Sequence, residues 1–485
     1  MTEQCPSLLI VRAIAVLASC LLVAGMAAAG PQAARGAPVL AHRVAIPAEF
    51  LTPRSPDKPD QKFGGDVRIG DLNGDGEVDF VVFKSVAGAK PCFIGAFDLR
   101  GDVLWSFGDK ERKGPGGDPL PVLTPRRPGP VAIHDIDGDG KTEAIAIMLA
   151  PGVETTGTMD MAGTEFVILD GATGKVKKRA APAELVAGDG YVDGKYDGSN
   201  WVHHRILIAN LRGKRQPQDF VIKLGKSLLA FDNDLALLWS YDIRWNFYPE
   251  HSAYVPAVGD IDGDGRDEVT GGHYLLDHDG TPLWEKQRGP HMDSVAIAPW
   301  DDGKMRAILS GSGQVVDEQG HRILNLGRDI VHHGQEVRCG DVRADSPGND
   351  LVFRPNGHQA NLIVVGQEGT VLAKFDVPDS PNNTGIEIVY WDGPGQVGLI
   401  YSPAALFDGE GKQVSALDEL PPPTGGRMGW YHCIPANVCG DEREELVLYD
   451  PEADTVFVYT PAPFDKDAFK GYAPGPRQYN PRIMD

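Results

Sequence analysis

Asp66–Phe83 reads DVRIGDLNGDGEVDFVVF, and the same pattern returns as PVAIHDIDGDGKTEAIAI at Pro130–Ile147 and as PAVGDIDGDGRDEVTGG at Pro256–Gly272. Each stretch is a short apolar segment, an acidic loop rich in glycine and a second apolar segment. Short apolar runs bounded by Asp, Asn and Gly are typical of β-strands joined by a turn. The pattern therefore predicts a strand–loop–strand unit that the chain uses repeatedly.

Weaker copies keep the same frame at Ile206–Ile222, Ser294–Leu309, Glu336–Phe353, Ile386–Ile400 and Ile434–Tyr449. Nearly every copy is followed by a hairpin pattern, in which a turn containing Asp and Gly separates two alternating apolar segments. Each unit is thus four antiparallel strands, and such units stack radially into a β-propeller. We predict an all-β, eight-bladed β-propeller of four-stranded antiparallel blades. Seven blades is the alternative if one weak copy is misread.

The last unit has the strand TVFVYT but lacks the glycine turn that would lead to a fourth strand. Ala37–Phe50 (APVLAHRVAIPAEF) could supply that strand and close the ring. No linker or shift in composition marks a second domain, so we predict a single β-propeller domain over residues 30–485.

Residues 1–29 have the order of an export signal. Arg12 precedes the apolar run Ala13–Met26, and alanines follow at 27–29. The run is shorter than the roughly 20 residues of a membrane span. We predict a cleaved signal peptide, no transmembrane span and a secreted or periplasmic protein. The alternative is a bacterial lipobox that would make Cys20 a lipid anchor.

The charge of the chain excludes some partners. Its 485 residues carry 46 Lys+Arg against 68 Asp+Glu, a formal net charge of −22. General binding to nucleic acid or to anionic membranes needs a basic surface, so neither partner is expected. A polyanionic substrate would also be repelled, unless calcium or the local arginines Arg126, Arg127, Arg205 and Arg288 reverse the negative electrostatic field.

The three strongest loops carry oxygen-bearing side chains at positions 1, 3, 5 and 9. These residues are Asp71, Asn73, Asp75 and Asp79; Asp135, Asp137, Asp139 and Glu143; and Asp260, Asp262, Asp264 and Glu268. Alternate oxygen ligands on a tight loop suit a hard cation with about six to eight ligands, hence Ca²⁺. We predict structural calcium in up to three loops.

These loops and their flanking strands resemble the FG-GAP/VCBS repeats of integrin α-subunits and of extracellular bacterial proteins. The resemblance covers essentially the whole mature chain. It implies a propeller whose loops hold calcium that stiffens the blades, but it implies no function.

Histidines mark the opposite face of the predicted propeller. The acidic loops and hairpin turns share one face, so the connections between units lie on the other, at the mouth of the central channel. His204, His251, His291 and His333 each stand just before an innermost strand. We predict that successive blades direct these imidazoles into one pocket. His291, Asp293, His333 and Glu336 would hold one further metal there.

Two segments in this region, Gly289–Ala298 (GPHMDSVAIA) and His332–Asp341 (HHGQEVRCGD), resemble the propeller polysaccharide lyases, notably the eight-bladed rhamnogalacturonan lyases. The resemblance implies cleavage of a uronate-containing glycan by β-elimination. This reaction needs a base, an acid and a positive charge on the carboxylate. From the residues we predict His251 as the base, Tyr254 as the acid and Arg354 as the carboxylate-binding group.

The alternative function is a non-catalytic propeller that binds a glycan or a protein, as integrin-like repeats do. It would need polar and aromatic rims but no clustered histidines. In both cases we expect a monomer.

Overall fold

A computed structural model describes residues 35–51, 67–86, 90–112, 130–153, 161–188, 205–246, 249–300, 303–357, 359–378, 385–422, 431–449, 454–464, 471–475 and 480. The chain divides into a small unit, Met1–Arg35, and a large unit, Gly36–Asp485. The predicted signal peptide lies outside the described residues and stays a prediction. In the described part of the chain, no helix combines the length and the apolar character needed to cross a membrane.

The described residues of the large unit form eight four-stranded antiparallel sheets, so the predicted eight-bladed propeller is confirmed and the seven-bladed alternative is wrong. Each of the repeat copies forms the first two strands of one blade. β1 (Pro38–Ala45) comes first in the chain and is followed by blade 1 with β2 (Val67–Gly70), β3 (Asp79–Val86), β4 (Lys90–Phe97) and β5 (Val103–Gly108), blade 2 with β6 (Val131–His134), β7 (Glu143–Leu149), β8 (Thr164–Asp170) and β9 (Val176–Ala180), then α1 (Ala183–Val186), and blade 3 with β10 (Leu207–Ala209), β11 (Asp219–Leu224), β12 (Ser227–Asp232) and β13 (Leu237–Asp242). The middle of the chain forms blade 4 with β14 (Ala257–Gly259), β15 (Glu268–Thr270), β16 (Tyr274–Leu276) and β17 (Pro282–Glu285), blade 5 with β18 (Val295–Pro299), β19 (Met305–Leu309), β20 (Gln314–Val316) and β21 (Arg322–Asn325), and blade 6 with β22 (Glu336–Gly340), β23 (Asp350–Arg354), β24 (Asn361–Val365) and β25 (Val371–Asp376). The last two blades are blade 7 with β26 (Glu387–Val389), β27 (Leu399–Tyr401), β28 (Ala405–Phe407) and β29 (Gln413–Ala416), and blade 8 with β30 (His432–Ala436), β31 (Glu445–Tyr449) and β32 (Thr455–Pro461).

The hydrophobic core lies between blades rather than within them. The first strands of successive blades, from β2 to β30, contact one another and line the centre of the ring. Strand β7 is buried along its whole length, whereas β9 at the outside of the same blade is partly exposed. Apolar clusters therefore combine residues of neighbouring blades, as where Phe166 of blade 2 packs on Phe220 and Phe231 of blade 3.

The N-terminal strand closes the ring, as the sequence predicted. β1 pairs antiparallel with β32 and becomes the outermost strand of blade 8. Val44 of β1 is buried opposite Val456. Phe50, a few residues further on, packs edge-on against Phe93 and Phe97 of blade 1. The segment therefore joins the last blade to the first.

A tryptophan on the fourth strand of several blades packs against a glycine turn in the next blade. The Trp105 indole lies so close to Gly174 that a Cβ there would stand 2.7 Å from the ring, and Gly174 has φ +66°. Trp105 Nε1 also donates a hydrogen bond of 2.5 Å to the Gly171 carbonyl. Trp239 repeats the contact with Gly280. These pairs join adjacent blades at their outer edges.

Candidate functional site

Four of the predicted site residues meet where three successive blades begin. His251 lies between β13 and β14, His291 and Asp293 lie between β17 and β18, and His333 lies between β21 and β22. The acidic loops join first strands to second strands, so they lie on the opposite face. His204, the fourth predicted histidine, is outside the described residues.

The Asp293 carboxylate is the centre of this cluster. Its Oδ2 is 3.1 Å from His333 Nε2 and 3.5 Å from His291 Nε2, and its Oδ1 is 3.8 Å from His251 Nε2. The two imidazoles of His291 and His333 approach to 2.9 Å between their Nε2 atoms. Burial acts to raise the pKa of Asp293, but the hydrogen bonds with His291 and His333 outweigh it and hold this pKa below its usual range. The carboxylate is therefore ionised at neutral pH.

His251 is a neutral imidazole whose Nε2 faces the cluster. Its Nδ1 is 3.0 Å from the Ser252 carbonyl oxygen, which can only accept, so Nδ1 carries the proton and Nε2 a lone pair. Burial lowers the pKa of His251 to about 4, against the opposing effect of Asp293. Tyr254 stacks on the His251 ring at 4.7 Å, and its hydroxyl donates to His251 Nε2 across 3.3 Å.

The cluster reaches solvent on one side. The His333 side chain is 35% exposed, whereas those of Asp293 and His291 are 4% and 8% exposed. Tyr254 is half-buried. A ligand on this face would therefore meet His333 and Tyr254 first.

The donor set suits a divalent cation. Two overlapping donor sets are present: the ligand atoms of His251, His291 and Asp293 lie within 4.8 Å of one another, and those of His291, Asp293 and His333 lie within 3.5 Å of one another. Neutral imidazole nitrogens and an ionised carboxylate are common ligands of such ions.

Two other predicted residues, Glu336 and Arg354, pair with each other outside this cluster. Arg354 is fully buried, and its Nε donates to Glu336 Oε2 at 2.6 Å. The other Glu336 oxygen accepts from the Ile386 backbone N–H at 3.1 Å. Use of Glu336 as a metal ligand, or of Arg354 on a substrate carboxylate, would require this buried pair to separate.

Two of the four arginines that were expected to reverse the negative field are buried, and Arg126 and Arg127 lie outside the described residues. Arg205 and Arg288 are 5% and 4% exposed. The Arg288 guanidinium stacks on Trp284 at 4.6 Å and binds the Gly320 carbonyl.

A buried lysine near the cluster was not predicted. Lys223 of β11 is 3% exposed, and its Nζ donates to the Ala253 carbonyl at 2.6 Å, between His251 and Tyr254 in the chain. Burial lowers the pKa of Lys223 to about 7. The signal in the sequence is a lysine inside the apolar strand DFVIKL, where a charge is otherwise costly.

The three predicted calcium loops fold in the same way. Asp71 accepts hydrogen bonds from the Gly74 and Gly76 amides at 2.8 and 3.1 Å. Asp135 and Asp260 do the same with the glycines at the equivalent positions. All six glycines have positive φ, between 77° and 88°, so the tight turn depends on them.

The carboxylate at position 9 of each loop is buried beneath the turn. Asp79 Oδ2 accepts from the Leu72 amide at 2.8 Å, and Glu143 and Glu268 accept from Ile136 and Ile261 at 3.0 and 2.9 Å. Burial raises the pKa of Asp79 and of Glu143 to about 7, and that of Glu268 to about 8. Acidic groups with raised pKa values that face several other carboxylates would gain from a bound cation.

Fold and site together define an eight-bladed β-propeller with a histidine–aspartate cluster on one face and acidic loops on the other. The chain is 24% identical to the rhamnogalacturonan exolyase YesX of Bacillus subtilis (strain 168). The alignment is 501 residues long and covers 89% of this chain and 76% of YesX. It is 26% identical to the rhamnogalacturonan endolyase YesW of the same organism over 376 residues, which cover 68% of this chain and 56% of YesW. The crystal structure of rhamnogalacturonan lyase YesW matches with a TM-score of 0.62 at 17% identity, over 87% of this chain and 75% of that one.

These homologues are rhamnogalacturonan lyases, consistent with the polysaccharide lyase that the sequence predicted. No family model matches the chain, so membership of the FG-GAP/VCBS repeats stays a prediction.

Proposed function

We propose that this protein is a secreted polysaccharide lyase that cleaves a rhamnogalacturonan-like glycan by β-elimination. The proposal rests on one observation: His251, His291, Asp293 and His333 meet at one face of the propeller. The homologues of this chain are rhamnogalacturonan lyases. The ligand is then a polysaccharide, bound across the face where His333 and Tyr254 are partly exposed.

The reaction transfers one proton and shifts two electron pairs. The C5–H bond of the uronate breaks and its electron pair forms the second bond of C4=C5, while the C4–O bond breaks and its electron pair leaves with the oxygen. The leaving oxygen takes up a proton, so no water is consumed. The site must therefore remove a proton, return one and neutralise the carboxylate that makes C5–H acidic.

His251 and Tyr254 are the proposed proton-transfer pair. His251 is too buried to touch a polymer, but its Nε2 lone pair accepts the hydrogen bond of the Tyr254 hydroxyl. Tyr254 would contact the substrate and pass the C5 proton to His251, and Asp293 would stabilise the charged imidazole. The same hydroxyl would return the proton to the leaving oxygen.

His291, Asp293 and His333 are the proposed ligands of a divalent cation at the channel mouth. When bound, the cation would supply the positive charge that neutralises the uronate carboxylate. Arg354 then has a positioning role, since its buried pair with Glu336 fixes the start of β22 just after His333.

Up to three of the acidic loops are proposed to bind structural calcium. They lie on the face opposite the cluster, so this calcium would stiffen blades rather than take part in the reaction.

The purified mature protein should be incubated with uronate-containing polysaccharides, with and without calcium, while the ultraviolet absorbance of unsaturated uronate ends is followed. We expect a rise with rhamnogalacturonan-like polymers. Tyr254→Phe should slow it by about 10²- to 10⁴-fold, the usual contribution of a general acid–base group. His321→Ala is the control, because this exposed histidine lies on a hairpin turn of the other face.

Metal content separates the proposed roles of the histidines. His251→Ala should lose activity but keep its cation, whereas His333→Ala should lose both. Loss of the cation from His251→Ala would make His251 a ligand instead. Binding of the polymer with no turnover, by the folded and calcium-loaded protein, would favour the non-catalytic propeller.

A further inference from the structure

Six blades place a carboxylate at the start of their second strand, where one of its oxygens accepts a backbone N–H of the preceding loop. The blades differ in what meets the other oxygen. In blades 3, 6 and 8 a side chain of the same blade binds it: Arg212 Nε on Asp219 at 2.6 Å, Ser346 Oγ on Asp350 at 2.7 Å and Thr460 Oγ1 on Glu445 at 2.9 Å. Each of these blades therefore supplies the hydrogen-bond donor for its own buried carboxylate.

In blades 1 and 4 no side chain of the described residues meets this second carboxylate oxygen. Asp79 Oδ1 and Glu268 Oε1 are buried, both residues are 0% exposed, and neither atom accepts a hydrogen bond from the described residues. Each lies beneath a loop that carries oxygen-bearing side chains at three alternate positions, which are Asp71, Asn73 and Asp75 in blade 1 and Asp260, Asp262 and Asp264 in blade 4. A buried acceptor without a donor is costly, so both oxygens point to a ligand that binds there.

In blade 2 a lysine takes this place. Lys177 Nζ is 2.7 Å from Glu143 Oε1, 2.6 Å from Asp137 Oδ2 and 3.3 Å from Asp139 Oδ2. Asp135, Asp137 and Glu143 lie close enough to share an ion, yet the ammonium group already binds two of these three carboxylates.

The residue at a shared bulge of the fourth strand explains why blade 2 differs from blades 1 and 4. Lys177 is the extra residue of a β-bulge in β9, between the residues that pair with Ile168 and Leu169. The corresponding bulge residue is Leu104 in blade 1 and Leu283 in blade 4. A leucine cannot supply a charge, so these loops lack an internal cation.

We propose that Lys177 is the resident cation of the blade 2 loop, so that this loop is closed to calcium while the loops of blades 1 and 4 bind the ion. The inference rests on the proposed calcium binding of the acidic loops and is independent of lyase activity. It also means that blade 2 holds its loop together when calcium is absent.

The test is the number of calcium ions bound per full-length mature chain, measured by equilibrium dialysis against excess calcium with elemental analysis. Lys177→Met should bind one ion more than wild type, and Leu104→Lys one ion fewer. Lys178→Met is the matched control: Lys178 neighbours Lys177 but binds Asp234 of blade 3, so the count should not change. Any ion at the histidine cluster is common to all variants and cancels in the difference.

Thermal melting must first show that each variant is folded, and Leu104→Lys provides a second test should Lys177→Met fail to fold. Equal counts for wild type and folded Lys177→Met would overturn the role of Lys177, as would an unchanged count for folded Leu104→Lys. No calcium on any variant would overturn calcium binding by the loops, and this inference with it, while leaving the lyase assay unaffected.

Discussion

Lys223 is an amine that the fold keeps away from water. Its Nζ donates to the Ala253 carbonyl but forms no ion pair with a carboxylate of the described residues, and burial lowers its pKa to about 7 from 10.5. The hydrogen bond holds the backbone between His251 and Tyr254. Lys223 thus positions the proposed proton-transfer pair. The free-energy cost of burying its amine depends on pH, because the amine is neutral above its lowered pKa.

The stability of wild type relative to Lys223→Met should rise between pH 7 and pH 10. In this window the unfolded lysine, with a pKa of 10.5, binds a proton that the folded one, with a pKa of about 7, does not bind. Stability increases with pH wherever the unfolded state binds more protons, here by up to about 1.4 kcal/mol per pH unit. Urea unfolding of both proteins at several pH values measures the difference between their free energies of unfolding. A difference that does not change with pH would contradict the lowered pKa of Lys223.

Single residues also show where sequence reasoning stops. The convergence of His251, His291 and His333 could be anticipated because each precedes an innermost strand. The pairing of Glu336 with Arg354 could not, because it depends on the register that places β22 opposite β23. Lys177 was missed for the same reason: ligand spacing along one loop carries no information about a bulge two strands later.

At the level of strands and turns, the contacts between tryptophans and glycines connect one blade to the next. Trp105 fills the space that a side chain at Gly174 would need, and the backbone of Gly174 has a conformation that favours glycine. The turn therefore needs a glycine at position 174 to leave room for the Trp105 indole. The pairs Leu104-Trp105 and Leu283-Trp284 can be read directly in the sequence, but the glycines that contact their tryptophans, Gly174 and Gly320, lie in the next blade.

Gly174→Ala should destabilise the protein by about 2–4 kcal/mol. About 1–2 kcal/mol comes from the left-handed backbone and the rest from overlap with Trp105. Gly152→Ala is the control in the same blade, because Gly152 has φ +73° but no neighbouring atom within 4 Å of the position that a Cβ would take. It should lose only the backbone contribution. Chemical denaturation of both variants measures the difference, and equal losses would show that the indole contact contributes nothing.

For the whole ring, closure depends on the pairing of β1 with β32. The eight units were predictable because each carries both an apolar repeat and a hairpin. Closure was predictable because one hairpin was missing and one spare strand preceded the first unit. The burial of Phe50 in blade 1 was not, since nothing in the repeat pattern includes that segment.

Val44→Asp should open the ring, whereas Val39→Asp on the same strand should be tolerated. Val44 is 3% exposed within the core between blades 8 and 1, and Val39 is 36% exposed. An unpaired buried charge costs several kcal/mol, so the melting temperature should fall markedly for Val44→Asp alone. Similar melting curves for the two variants would mean that β1 contributes little to stability.

The net charge of −22 should act on the proposed substrate at long range. The screening length falls from about 30 Å at 0.01 M salt to about 8 Å at 0.15 M. We therefore expect kcat/KM on a polyuronate to rise several-fold over this range, with kcat nearly unchanged. A fall in kcat/KM with added salt would instead indicate a basic binding groove.

The pairing of β1 with β32 also has a consequence for biosynthesis. β1 ends at Ala45 and β32 begins at Thr455, so the outermost strand of blade 8 has no partner until the strands of the other blades have been synthesised. Until then the stack of blades has open sheet edges, which are prone to pair with other chains. A chain truncated before β32 can never complete the ring. Only a chain that contains both strands can therefore complete blade 8 in this way.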